Sequence, residues 1–486
     1  MVYQFQYINI IAALAIYAVI SAVIFFVLRA IKVKKHRFKV WGIWSIGFLL
    51  AGAILQLAGA SFVKPVNVSG AFTEVYSPQE LKRDFKQAEE CLLNKNPLLF
   101  SNKKELEPLF AQAYSKIDSD MTQLEFYRLL NPLVAAVRCG HTNLSISQGL
   151  ELAKKNTGFF PLEVTLLGDR LYVTQDDATN GITAGDEIIE INGNSSGEIV
   201  KTLLLNVSHD GNNESKSRYI ISRHFNSRFY DYIDSFESFE VKLSNEKKGT
   251  YQSRLQAAYR EEYNTTAWSL HMAEANDGKY YDGKLYDDYA VLTIQVFFEE
   301  KDNKFEPFLN NFFEQLSQKG IQKLVIDLRG NYGGGPEMAR TLLSHLTAKE
   351  LPYFNCNLPM VYDLMGYQKP VQPAKSVYNG AVTVLTDGGC FSTTGHLLSL
   401  LKYHKLATLV GSESGGTFVC SDSSEDVVLE HTGLRLHYST AVYQVAAEGL
   451  PKEEGVKPDI PVAYTLQDIL LRQDPVMQAA LESMNV

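Results

Sequence analysis

Three stretches of the chain carry residue types at spacings that chemistry needs. In VTVLTDGGCFSTTGHLLSLLK a β-branched run, a glycine turn and an apolar-periodic helix follow one another, with Ser392 at the helix start. A hydroxyl there sits at the positive end of the helix, where developing negative charge is favoured and the amide of Thr393 can donate to an oxyanion. Those are the needs of an acyl-transfer nucleophile. The same position equally suits a plain N-cap serine. Position 390 is Cys, so the GxSxG turn of α/β-hydrolases is absent, and nothing near Cys390 in sequence lowers its pKa to make it the nucleophile instead.

The second stretch is VIDLRGNYGGG, which brings Asp327, Arg329, Asn331, Gly333, Gly334 and Gly335 into one strand-to-helix turn. Its glycines free backbone amides to face an oxyanion. Neither phosphate signature, GxxxxGKS/T or GxGxxG, occurs. The third stretch supplies a base. His396, four residues after Ser392, falls one helical turn away and faces sideways or inward. His141, in AAVRCGHTNLSI, stands at a helix exit and is better placed to reach another part of the fold.

The elements that must position these groups are legible. SPQELKRDFKQAEECLLNKNP opens on a capping box and closes at Asn96-Pro97, starting a helical module that runs to about Val137 and the Gly140-His141-Thr142 turn. From Phe159 to Leu243 short alternating strands separated by Gly, Asn and Asp turns predict a small, mostly β domain. After a polar stretch, YAVLTIQVF, KLVIDLRG and AVTVLTD alternate with helical segments, with Pro336 suited to a helix start and Gly320 to a helix end. Apolar runs of that kind predict an α/β fold with a sheet covered on both faces.

Composition excludes other classes. A net charge of -9 disfavours a nucleic-acid partner, 45% hydrophobic and 21% charged residues argue against disorder, and five scattered cysteines suggest neither a disulfide framework nor a zinc site. Residues 8–28 and 40–63 are uncharged apolar runs separated by a basic loop, 29–39. They predict a transmembrane hairpin over residues 1–64 with its loop in the cytoplasm, and so a multi-pass cell-membrane protein whose catalytic part is extracytoplasmic, periplasmic in a bacterium.

Two resemblances sharpen this reading. Gly181, Ile182, Gly185, Asp186, Ile188, Ile191, Asn192 and Gly193 resemble the PDZ pattern, which implies strand addition by a bound peptide, with Gly158, Phe159 and Phe160 as the loop for its terminal carboxylate. More of the chain, roughly residues 75 to 465, resembles the serine peptidases that include the tail-specific (C-terminal processing) proteases and the tricorn protease core. The likeness is carried by Asp327-Leu-Arg-Gly-Asn-Tyr-Gly-Gly334, Gly389-Cys-Phe-Ser392, Gly455-Val-Lys-Pro-Asp-Ile-Pro-Val462 and the PDZ-like stretch before them.

That resemblance implies a crotonase-like α/β protease core over 285–486, preceded by a helical module over 72–145 and a PDZ-like domain over 146–245. It implies Ser392 as nucleophile and an oxyanion hole from Thr393 with Gly333 or Gly334. Tail-specific members use a lysine about 25 residues after the serine, where this chain has Thr417, whereas the tricorn branch uses a Gly-His-Thr-like histidine, which matches His141. In tricorn a serine before the histidine links it to a glutamate. Position 140 is Gly, which leaves the third member open among Glu448, Glu453 and Glu454. The implied protein is a serine endopeptidase acting on proteins or peptides with no metal or organic cofactor. The alternative on the same fold is a non-catalytic ligand- or peptide-binding protein. The sequence leaves the oligomeric state open.

Overall fold

The computed structural model describes residues 2–5, 63–66, 72–154, 157–259 and 279–485. They fall into two units, one drawn from residues 1–73 and 148–153 and the other from 74–147 and 154–486. In the first, β1 (Val2–Phe5) pairs antiparallel with β2 (Val63–Val66). This corrects the expected membrane hairpin. Among the described residues no helix is long and apolar enough to cross a membrane, and Val63, the last residue of the second expected span, lies in a strand. Its VKPV run, with β-branched residues around a proline, suits a strand at a sheet edge and not a helix interior. The rest of both spans, 8–28 and 40–62, and the loop 29–39 lie outside the described residues. The multi-pass membrane placement that rested on the spans falls with them.

The second unit opens with helices α1 (Pro78–Glu90), α2 (Lys103–Ser115) and α3 (Gln123–Ala136). Ser77 and Glu80 close a reciprocal cap on α1, with Pro78 at its first position, and Thr122 and Glu125 do the same on α3. The short strands β3 (Val75–Tyr76) and β4 (Met121–Thr122) pair in front of these helices. Beyond α3 the chain turns at Cys139–Thr142 and enters β5 (Asn143–Ser145), which places His141 between a helix end and a strand.

An antiparallel sheet follows, built from β6 (Val164–Leu167), β7 (Arg170–Val173), β8 (Glu187–Ile191), β9 (Asn194–Ser195), β10 (Ser238–Asn245) and β11 (Gly249–Gln256), in the order β11-β10-β8-β7-β6 with β9 paired to β8. Helices α4 (Ser196–Leu204) and α5 (Ser215–Tyr232) accompany it. Ile199, Leu203, Ile221, Phe225 and Phe229 share one buried cluster with Phe160, Phe239 and Leu243. The 18-residue α5 makes this region less purely β than its sequence suggests.

The remainder is a six-stranded sheet of β12 (Tyr281–Leu285), β13 (Ala290–Ile294), β14 (Lys323–Asp327), β15 (Ala381–Thr386), β16 (Thr408–Gly411) and β21 (Ile460–Pro461), parallel except for the β12 edge. Side-chain alternation splits the strands between two cores, as expected of a sheet covered on both faces. Leu324, Ile326, Val384 and Leu409 join α6 (Phe305–Lys319), α7 (Pro336–Leu346) and α8 (Thr393–Tyr403) in one buried cluster. Val325, Leu385 and Val410 join α9 (Pro475–Ser483) in the other. Gly320 ends α6 in the left-handed conformation that glycine adopts without penalty. Strands β17 (Val419–Asp422) and β20 (Ala441–Gln444) pair with each other, and β18 (Glu425–Val428) and β19 (Arg435–Tyr438) extend β5 in the order β18-β19-β5. The strand after His141 is thereby tied to the C-terminal half of the chain.

Candidate active site

The site forms where β14 and β15 end and α7 and α8 begin. Asn331 organises it from a fully buried position. Its side-chain amide donates to Ile294 O at 2.9 Å, and its Oδ1 accepts from the Gly333 amide at 2.9 Å and from Thr394 Oγ1 at 2.8 Å. One side chain thus joins the end of β13, the glycine turn and the serine helix. Arg329 anchors the same turn from outside, bonding Asp327 at 2.7 and 2.9 Å and Asp474 at the start of α9 at 2.8 and 2.9 Å. The Gly455–Val462 stretch closes the sheet and stays outside the site. Val456 N donates to Ser414 Oγ at 2.8 Å, and Asp459 accepts from Leu409 N at 2.9 Å.

Ser392 does not act as a helix cap. Its φ of 54° and ψ of -124° put it in a region that non-glycine residues rarely occupy, and its hydroxyl makes no cap bond to α8. Strain of this kind is held only where the surroundings over-determine it. The hydroxyl instead lies 2.9 Å from His141 Nε2. The histidine comes from the turn after α3, which is fixed by Thr142. Thr142 is buried, and its Oγ1 accepts from Asn96 at 3.0 Å and from Ser439 N at 3.3 Å. The His141 ring packs on Phe391 with centroids 4.6 Å apart. Burial lowers the His141 pKa below its usual value, opposed by Asp422 and Asp210. A histidine so placed is neutral near physiological pH and free to accept a proton.

Gly140 is a glycine for want of space. A Cβ there would stand 2.5 Å from Phe391 Cζ. Its backbone is clamped from both sides by the chain around the start of α5, because its amide donates to Asp210 Oδ1 at 2.7 Å and its carbonyl accepts from Lys216 Nζ at 2.6 Å. Burial brings the Lys216 pKa down to about 8, with Asp210 acting against the shift. Its ammonium sits 4.0 Å from the centre of the Phe391 ring.

The amides the sequence offers for an oxyanion are not equivalent. Gly333 spends its N–H on Asn331, whereas neither Gly334 N nor Thr393 N has a hydrogen-bond partner among the described residues. Gly333 must lack a side chain because a Cβ would meet Ser392 Cβ at 2.8 Å and Thr393 N at 3.0 Å. The Thr393 hydroxyl ties the two segments by donating to Gly334 O at 2.6 Å.

Other candidates lie elsewhere. His396 is buried against Cys420, and burial pushes its pKa down to about 3. Cys390 is buried, its thiol donates to Leu328 O, and desolvation holds its pKa well up. Glu448 bonds Asn355, Glu453 bonds Asn212 and Glu454 pairs with Lys457, so none of the three meets His141. Gly158, Phe159 and Phe160 do not form an open carboxylate loop. Phe159 exchanges backbone bonds with Ala258 at 2.9 and 3.0 Å, both phenylalanine rings are buried, and a Cβ on Gly158 would meet Ala257. Asp210, Lys216 and Asp422, whose carboxylate is 3.7 Å from His141 Nε2, are site residues that the sequence reading did not single out. The Asp-Gly turn of SHDGNN marks a loop but not where it docks.

The family model of peptidase family S41 matches residues 288–462, which include β13 to β21, the glycine turn and Ser392. Residues 288–462 are an S41 serine peptidase domain. Structural similarity extends further. Mature CPAF complexed with lactacystin matches with a TM-score of 0.60 at 15% identity, covering 84% of this chain and 97% of that one. Mature CPAF alone matches with a TM-score of 0.59 at 15% identity, covering 83% and 96%. The photosystem II D1 C-terminal processing protease matches with a TM-score of 0.40 at 16% identity, covering 82% and 97%. No curated relative matches the sequence. The CPAF likenesses establish a shared fold, and the family match makes the chain a serine-type peptidase whose substrates are proteins or peptides.

Proposed function

We propose that the protein is an endopeptidase working through an acyl-enzyme on Ser392, with His141 as general base and then general acid. The observation that carries this reading is the Ser392 hydroxyl, withheld from its helix and set 2.9 Å from His141 Nε2. His141 takes the hydroxyl proton as Oγ attacks a peptide carbonyl, and the oxyanion is met by the amides of Thr393 and Gly334. The proton passes to the leaving amine, water deprotonated by His141 attacks the ester, and Ser392 is regenerated. The lysine base of the tail-specific members has no counterpart here. Thr417 occupies the place a tail-specific lysine would take, and Lys402 is engaged with Asp459 and Lys457 O. The PDZ-like module expected over residues 146–245 is kept as a proposal on the Gly181–Gly193 pattern, with the 158–160 loop closed to a peptide terminus.

The test is digestion of an unfolded protein by the full chain, with products mapped by mass spectrometry. Internal cleavages that vanish in Ser392→Ala support the reading. Release of single terminal residues, or cleavage that survives Ser392→Ala, overturns it.

A further inference from the structure

We infer that Asp210 is the positioning residue for His141, its unshared Oδ2 accepting the Nδ1–H of the ring. The inference rests on the Ser392–His141 reading above and supplies the acid which that pair lacks. For Nε2 to accept the serine proton, the neutral ring must carry its own proton on Nδ1. That nitrogen is buried and has no hydrogen-bond partner among the described residues, a costly state for an N–H group. A second orphan lies nearby. Asp210 is 2% exposed, its Oδ1 accepts from Gly140 N at 2.7 Å, one residue from the histidine, and its Oδ2 is buried without a partner among the described residues. An orphaned donor and an orphaned acceptor therefore lie in one buried neighbourhood. Burial raises the Asp210 pKa while His141 lowers it, and Asp210 in turn raises that of His141.

The other acids fail on geometry. Glu448, Glu453 and Glu454 are paired elsewhere. Asp422 faces Nε2, the nitrogen already facing Ser392, and its side chain is 42% exposed. Gly140 forbids the intervening serine of the tricorn type, because any Cβ there strikes Phe391. An acid reaching His141 without a relay must then come from another segment, and the chain from α4 to α5 delivers one. When Ser392 transfers its proton to Nε2 the ring becomes an imidazolium, Asp210 stays ionised, and side-chain torsion closes a charge-assisted Nδ1–H···Oδ2 bond. When the proton leaves with the amine the ring returns to its starting tautomer. Catalytic hydrogen bonds that tighten only as charge develops are common in resting enzymes.

Asp210→Asn separates orientation from mere anchoring. The amide side chain of that variant keeps an oxygen for Gly140 N but presents NH2 to Nδ1, which favours the tautomer whose Nε2 carries the proton. Expected is a fall in kcat of about a thousand- to ten-thousand-fold with KM little changed, as for the acid-to-amide substitution in the trypsin-type triad. Asp422→Asn is expected to cost about tenfold or less, as for an exposed charge. Fluorophosphonate labelling of the wild type comes first. If wild-type Ser392 is not labelled, the serine–histidine reading itself has failed. If the wild type is labelled and Asp210→Asn reacts at the same rate, the Asp210 assignment alone is overturned. Should Asp210→Asn not fold, proton NMR of the wild type decides. A far-downfield Nδ1 proton that appears in the wild type at a pH low enough to protonate His141, and is absent from His141→Gln, supports the contact, and its absence from the protonated wild type overturns it.

Discussion

Gly140→Ala tests whether the packing around His141 sets the reaction geometry. Gly140 has no left-handed backbone conformation, so alanine adopts it without torsional penalty and the effect is purely steric. The added Cβ would stand 2.5 and 2.8 Å from two ring carbons of Phe391. Carbon contacts settle at about 3.5–4.0 Å, so the ring must recede by about 1 Å. It has little freedom to do so. Phe391 is 2% exposed and is in contact with both His141, at 4.6 Å between ring centres, and the Lys216 ammonium at 4.0 Å. A similar displacement of His141 takes its 2.9 Å contact with Ser392 beyond hydrogen-bond range. Misplacement of about 1 Å at a reacting pair costs about 100-fold, and overpacking of a core about 1–3 kcal/mol. We therefore expect kcat/KM for a fluorogenic peptide to fall about 100-fold and the melting temperature to drop. Phe391→Leu in the same chain should recover part of both, with a coupling energy of about 1 kcal/mol or more in the double-mutant cycle. Wild-type kcat/KM and melting temperature in Gly140→Ala would show that the Phe391 packing does not set the position of His141.

Three further outcomes follow from the site. Burial holds His141 below the ordinary histidine pKa of about 6.5. Protonation removes the base, so kcat/KM should fall with decreasing pH along a limb centred below that value, and a limb near 8 would point to Lys216 instead. Arg329→Met leaves Asp327 and Asp474 without their shared partner. It should destabilise the fold by about 2 kcal/mol or more in urea unfolding, an amount between those of exposed and buried pairs because Asp474 is partly exposed. Thiol alkylation should leave peptidase activity intact, since Cys390 is buried with its pKa well raised, and inactivation by iodoacetamide would contradict that placement.

The parts of the site that could be read in the sequence are those built by local geometry. Glycines at 333 and 334, a serine between a strand and a helix, and a histidine at a helix exit each carry their structural meaning within a dozen residues. The sheet followed from apolar runs such as LVIDL, whose two faces supply both cores. What stayed hidden is what depends on distant partners. Asp210 bonds an amide 70 residues earlier in the chain, and Lys216 a carbonyl 76 residues earlier, so neither has a periodicity to betray it. The three glutamates near Gly455 were near the histidine only by analogy, and the fold gives each another partner. The loop at 158–160 resembled a carboxylate cradle in composition, yet its amide at Phe159 was already committed to Ala258. Apolar runs near the N-terminus satisfied the length of a membrane span, but Val63 at the end of one belongs to a strand.

The most direct test of the central claim is covalent labelling of the full chain by a fluorophosphonate probe, with peptide mapping of the adduct in the wild type, Ser392→Ala and His141→Ala. Expected is one adduct, on Ser392, whose rate of formation falls by orders of magnitude in His141→Ala, since losing either member of such a pair costs about a millionfold in turnover. An adduct on any other residue, or labelling of Ser392 at an unchanged rate without His141, would contradict it.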